Sequence, residues 1–229
     1  MRIIDSIINY IKNNLIQLIV VIAIFLISII TTVLYFNIPR LSYKYIEDYD
    51  GYVVDHAFGN SKEYTIPATY KEKNVVGFGT RAFYNHTKLE RVIAEDNSNF
   101  SVVMKLAFSG CKSLKEIDLS NIAIIERNAF SYCSSLAEVE IYATKLGASA
   151  FYGCSSLESV ILAEGLTSIG SMAFAKTKIS DIIIPASVDY IYEGSFDYND
   201  NLKRVIIKNS TLLNDEYIKS LGDIIVYEG

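Results

Sequence analysis

Apolar residues are distributed along this chain in two ways. Between Leu15 and Phe36, "LIQLIVVIAIFLISIITTVLYF", they run nearly unbroken, and no charge stands between Lys12 and Arg40. Gln17, Ser28, Thr31 and Thr32 are the polar interruptions. As a helix this stretch is about 33 Å long at ~1.5 Å per residue, enough to cross a ~30 Å hydrocarbon core. It exceeds the ~7–15-residue core of a signal peptide, and no small-x-small cleavage site follows it. Residues 15–36 are therefore expected as an uncleaved transmembrane helix. Tyr35 and Phe36, then Tyr43 and Tyr45, suit the membrane interface. Residues 1–14 carry Ile at 3, 4, 7, 8 and 11, one apolar helical face, and read as a short tail, helical in part. Residues 37–50 read as a linker.

The second pattern is periodic. Phe83, Phe108, Phe130, Phe151, Phe174 and Phe196 follow one another at gaps of 25, 22, 21, 23 and 22 residues. The residue before each is Ala five times and Ser once. Five positions earlier stand Phe78, Val103, Ile125, Leu146, Ile169 and Ile191. Six, nine and eleven positions later come Leu, Val or Ile, and Leu, Ile or Ala, as in Leu136, Val139 and Ile141. In the turn holding Phe174 the register shortens by one, to Ile179, Ile182 and Ile184.

Such a repeat predicts a solenoid. L-x-x-V-x-L is a short strand with three inward apolar residues and polar ones between them. One coil cannot cover its own apolar side, but stacked coils bury a shared ladder. About six apolar side chains per coil are worth roughly 1.5–3 kcal/mol each before chain entropy is subtracted. Gly79, Gly147 and Gly170 suggest a turn that needs a positive φ. Pro67 and Pro185 end strands where no ladder donor is required. The expected fold is a parallel solenoid with one short strand per coil over residues 51–208. A C-terminal cap over 209–229 is expected to hold a short helix and a last strand at 223–227, because an open end would expose core.

The unit "AFxxCxxLxxVxLxxxLxxIGxxAF" resembles the BspA-like leucine-rich repeats of microbial cell surfaces, over about Ile66 to Ile207. The resemblance implies a leucine-rich-repeat solenoid and a surface location. It places the short N-terminal tail inside and the repeats outside; by themselves, Arg2 and Lys12 on one side nearly balance Arg40 and Lys44 on the other. The asparagine ladder of commoner leucine-rich repeats is missing.

Chemistry adds little. Cys111, Cys133 and Cys154 each lie three residues after a phenylalanine, where His86, Thr177 and Asn199 stand in the other coils. They are expected as buried thiols filling a tight column. Spacings of 22 and 21 residues pair no metal ligands. With two histidines and no nucleophile elbow or phosphate loop, no catalytic residue, cofactor or metal is assigned. "DYDG" at 48–51 lacks the rest of a calcium loop and reads as a turn. Asn85, Asn99 and Asn209 open N-x-S/T sequons.

Charge and strand register define a surface instead. The net charge is −5, and residues 1–36 carry +1, so the remainder is acidic at −6. That argues against nucleic acid and anionic lipid as partners. The outward strand positions form two columns. One holds Arg91, Glu116, Glu138, Ser159, Asp181 and Arg204; the other holds Ile93, Asp118, Glu140, Ile161, Ile183 and Ile206. Glu116, Asp118, Glu138 and Glu140 make an acidic patch, and Ile161, Ile183 and Ile206 an apolar row of the kind that marks contacts. The expected function is a membrane-anchored, non-catalytic module that binds an extracellular or envelope protein through this face, with no small-molecule substrate. The alternative is a structural subunit of a membrane assembly.

Overall fold

The computed structural model describes residues 2–37, 40–95 and 100–228; the side chains of 2–11, 13, 16, 32–37 and 214 lie outside the description. The chain divides into two units, Met1–Ile38 and Pro39–Gly229. The first is one helix, α1 (Arg2–Asn37), in which the expected tail and span are continuous. Its side chains are described without a break over 17–31. Among the described residues no helix is long and apolar enough to cross a membrane. The expected span, 15–36, runs beyond that stretch at both ends.

The second unit opens with β1 (Arg40–Ile46) and β2 (Gly51–Phe58), an antiparallel pair joined by a 3-10 turn at Glu47–Tyr49. Asp50 closes that turn at φ 43°, which bears out the turn read in "DYDG". The expected linker over 37–50 is therefore corrected: β1 belongs to the folded unit. Leu41 and Tyr43 pack on the core, and Tyr43 stacks on Tyr70 at 4.3 Å. A seven-residue strand with Leu41 and Tyr43 on the core caps the first coil, as a solenoid end requires.

The strands that follow are β3 (Glu63–Ile66), β4 (Thr69–Tyr70), β5 (Lys73–Phe78) and β6 (Arg91–Ala94). Next come β7 (Val102–Val103), β8 (Ile124–Ile125), β9 (Glu138–Ile141) and β10 (Lys145–Leu146). The last are β11 (Ser159–Leu162), β12 (Ser168–Ile169), β13 (Asp181–Ile184), β14 (Tyr190–Ile191), β15 (Arg204–Ile207) and β16 (Ile225–Tyr227). Most coils thus contribute two strands where the pattern predicted one. The two-residue strands β7, β8, β10, β12 and β14 continue the longer β1, β2 and β5 in one sheet of order β1-β2-β5-β7-β8-β10-β12-β14, parallel from β2 onward. The predicted L-x-x-V-x-L strands form the other side in three pieces, β3–β6, β9–β11 and β13–β15–β16. The coil at Glu116–Leu119 keeps one bridge, Arg91 to Glu116. There the Asp118 carboxylate accepts from Ser120 N at 2.9 Å, a local turn that competes with ladder pairing.

Six phenylalanines form the spine. Consecutive rings from Phe83 to Phe196 stack with centroids 5.1, 5.2, 5.1, 5.6 and 6.1 Å apart and planes within 8° of parallel. Outside the stack, each phenylalanine N–H donates to the carbonyl before the next phenylalanine at 2.7–2.9 Å. A small residue is needed there because the coils approach to backbone contact.

The backbone bends at two fixed places per coil. Arg81, Leu106, Asn128, Ser149, Met172 and Gly194, two residues before each phenylalanine, have φ between 55° and 74°. Two residues after it, Asn85, Gly110, Tyr132, Gly153, Lys176 and Tyr198 have φ between 58° and 78°. The left-handed positions are thus not Gly79, Gly147 and Gly170, which correct the expectation. Those glycines allow close approach: a Cβ at Gly147 would lie 2.5 Å from Arg127 N, and one at Gly170 2.5 Å from Ala148 N.

Beyond β15, Leu212 and Ile218 close the end of the core. Asp215 accepts from Tyr217 N and Ile218 N and starts a short helix, α2 (Glu216–Ser220). Tyr217 Oη accepts from Phe196 N at 2.9 Å, in place of the carbonyl a further coil would supply. β16 then extends the β13–β15 sheet.

Candidate protein-binding surface

The strand side carries the residues the sequence assigned to it, with one exception. Ile93, Ile161 and Ile183 are 39%, 53% and 48% exposed. Ile206 is 8% exposed and is removed from the row. The cause is β16, which lies beside β15 and pairs Val226 with Ile206. A cap strand is not part of the period, so the register could not reveal it.

The charged column is partly self-neutralised. Arg91 Nε pairs with Glu63, and its Nη1 lies 3.8 Å from Glu116 Oε1. Arg204 pairs with Asp181, and a hydrogen bond from Ser180, together with this pairing, holds the Asp181 carboxyl below its ordinary pKa. Glu63, Arg91 and Arg204 are thereby tied along the stack rather than offered outward.

Between these pairs lies an acidic stretch. Glu116, Asp118, Glu138 and Glu140 are exposed around a groove of about 270 Å³ that also touches Tyr142 and Ile161. It lies where the ladder is broken between Glu116 and β9, so the gap in pairing and the groove share one cause. Tyr142 Oη donates to Glu140 Oε2 at 3.1 Å, and that carboxylate raises the tyrosine pKa. The acidic patch and the exposed Ile161 are therefore adjacent, with Ile183 one coil further on.

The cysteine column has a structural task. Cys111, Cys133 and Cys154 are free, buried, and donate from Sγ to Phe83 O, Phe108 O and Phe130 O at 3.0, 3.2 and 3.2 Å. In the same column His86 Nε2 lies 3.0 Å from Ala57 O, and Asn199 Nδ2 donates to Phe174 O at 2.9 Å. The position favours a donor reaching the previous coil's carbonyl, which explains the exchange of Cys, His and Asn, whereas Thr177 donates to Phe174 O of its own coil at 3.0 Å. Burial pushes the Cys111 and Cys154 thiols up to about 12 and Cys133 well above its usual value. Thiols held neutral and enclosed are poor nucleophiles. Burial lowers the His86 pKa as well.

One cluster was not legible in the sequence. Tyr132 meets Tyr152 edge-on at 5.4 Å, and Lys176 Nζ lies 5.3 Å from the Tyr152 ring and 5.4 Å from Tyr198. These residues follow the phenylalanines by one or two positions; a tyrosine count alone does not show that the bends align them. The sequons at Asn85 and Asn209 are in the folded unit, whereas Asn99 lies outside the described residues. Among the described residues no group of three metal-binding side chains occurs.

Comparison with known proteins gives a consistent result. The family described as a BspA type leucine rich repeat region matches residues 51–146 and 142–221, with six copies. A leucine rich cell surface protein from Faecalibacterium prausnitzii A2-165 is similar at 25% identity and TM-score 0.61, over 75% of this chain and 55% of that one. A leucine rich repeat protein of T. pallidum is similar at 26% identity and TM-score 0.54, over 74% of this chain and 71% of that one. The chain thus spans little more than half the length of the first of these. A search of curated proteins finds no match.

Proposed function

Because the chain belongs to the BspA-type leucine-rich-repeat family, we propose that it is a membrane-anchored, non-catalytic recognition protein that binds other proteins through its strand face. The observation that carries this reading is the exposure of Ile161 and Ile183 beside an acidic groove. Solvent-facing isoleucines next to a charged rim match the apolar centre and polar border of protein interfaces. The four carboxylates favour a partner segment bearing Lys or Arg.

Two observations support the anchor and its side. Over 17–31 the described side chains of α1 carry no charge and are exposed on every side. Apolar groups uncovered all round a helix call for lipid or another protein around them. The similarity to a leucine rich cell surface protein supports an outward-facing repeat unit. Protease treatment of intact cells tests this: loss of the repeats without lysis is expected, and full protection refutes it.

Binding is tested by a photocrosslinking residue at position 183 of the full chain in its own cells. Capture of a protein at 183, and none from a probe at Ser155 among the bends, is expected. Ile183→Asp should abolish capture by a neighbouring probe at position 161 while leaving the circular dichroism spectrum intact. Equal capture from 183 and 155, or capture unaffected by Ile183→Asp, refutes the strand face as the contact.

A further inference from the structure

The long sheet of the repeat unit has two free edges of opposite character. At its end, among the described residues, β14 pairs with β12 alone. One coil earlier, the carbonyls of Thr167 and Ile169 accept from Asp189 N and Tyr192 N at 2.9 Å. The matching carbonyls of β14 are those of Asp189 and Ile191, and among the described residues no hydrogen bond reaches either. β14 has only two residues, but so do β7, β8, β10 and β12. Its length is that of the repeat and not a device to blunt an edge.

The ground beside this edge is a groove of about 420 Å³ between β14 and α2, lined by Tyr190, Ile191, Glu193, Asp215, Glu216 and Tyr217. Asp215 is engaged with the start of α2, while Glu193 and Glu216 are exposed. No Lys or Arg lines the groove. At the other end of the same sheet β1 pairs, among the described residues, with β2 alone, and its sequence, RLSYKYI, has two cations and no acid.

We infer that β14 is a docking edge for a second copy of this chain, whose β1 adds to it head to tail. Strand directions agree with this. β1 is antiparallel to β2, and β2 through β14 are parallel. A second copy's β1 placed antiparallel on β14 therefore brings its β2 into the direction of β14, and the sheet continues across the junction. Backbone N–H groups of β1 reach the waiting carbonyls of Asp189 and Ile191, and Arg40 and Lys44 bring positive charge to an acidic edge. The contact is heterologous, so copies form rows rather than closed pairs. It leaves Ile161 and Ile183 uncovered and does not depend on their role.

The test uses the full chain in detergent. Two variants are made, Lys44→Cys and Tyr190→Cys, and treated with a short bismaleimide; the native thiols are buried. A mixture of the two should yield a crosslinked dimer, and either variant alone should not. Adding Glu216→Lys to the Tyr190→Cys chain should cut the yield about fivefold, since it replaces an attraction with a repulsion. Adding Arg40→Glu to the Lys44→Cys chain should restore it, which also shows that Glu216→Lys has not unfolded the edge. No dimer in the mixture overturns the inference and leaves the edge to a different protein. A dimer from Lys44→Cys alone overturns it too, because association through α1 or a symmetric contact then explains the proximity. A yield indifferent to Glu216→Lys overturns the charge pairing on which the choice of occupant rests.

Discussion

Phe130 sits in the middle of the ring stack, with neighbours 5.2 and 5.1 Å away on either side. Phe196 ends the stack, with one neighbour at 6.1 Å. Replacing each by Leu keeps most of the buried apolar area and removes only ring–ring contact. Each aromatic pair contributes about 0.5–1.5 kcal/mol beyond burial. Phe130→Leu should therefore cost roughly 1–3 kcal/mol, and Phe196→Leu no more than about 1.5 kcal/mol. Phe130→Ala adds a cavity and should cost about 3–5 kcal/mol. Urea unfolding followed by far-ultraviolet circular dichroism measures all three, with equal slopes required for the comparison to hold. If Phe196→Leu is as costly as Phe130→Leu, the stack is not an additive spine. The same holds if Phe130→Leu costs less than about 0.5 kcal/mol, and the phenylalanines are then only filler of the right size.

Other consequences can be measured on the same scale. Tyr217→Phe removes the acceptor of the Phe196 N–H and should cost about 0.5–1.5 kcal/mol, with faster hydrogen exchange at that one amide. Leu106, at φ 61°, should tolerate Gly with little change, whereas Leu106→Val should lose roughly 1–2 kcal/mol in thermal or urea unfolding. The buried thiols predict an alkaline limit. Cys111 and Cys154 titrate near 12 when folded against 9.0 in the open chain, so their contribution is complete below pH 9 and declines as pH rises toward 12. The double variant Cys111→Ser, Cys154→Ser should flatten that decline, and an unchanged profile would contradict the burial argument.

The period made the spine readable. Leucine, valine and phenylalanine at fixed offsets announce which side chains are interior, because only a repeated geometry requires a repeated residue. The six ring positions, the cysteine column and the exposure of Ile161 and Ile183 all follow from that register. Features that break or fall below the period were hidden. Ile206 holds the same register position as Ile183, and the later arrival of β16 beside it lies outside the period. Strands of two residues, such as Val102–Val103, are too short to show alternation. The glycines were misread because closeness to a neighbouring coil and a left-handed φ both favour Gly, while Leu106 and Met172 accept the strained conformation in its place. β1 is not legible because Tyr43 and Tyr45 suit a membrane interface as well as a strand.

On the phenylalanine side the hydrogen bonds linking one coil to the next repeat closely, and Tyr217, α2 and β16 respond to the end of the array. Nothing in the middle depends on how many coils exist. A whole coil duplicated or deleted between Phe108 and Phe174 would leave every remaining junction with a suitable partner, shifting the far end by about the 5 Å that separates stacked rings. The repeat unit is thus a ruler with repeating graduations, and reach is a quantity that inheritance can adjust in single steps without redesigning either cap.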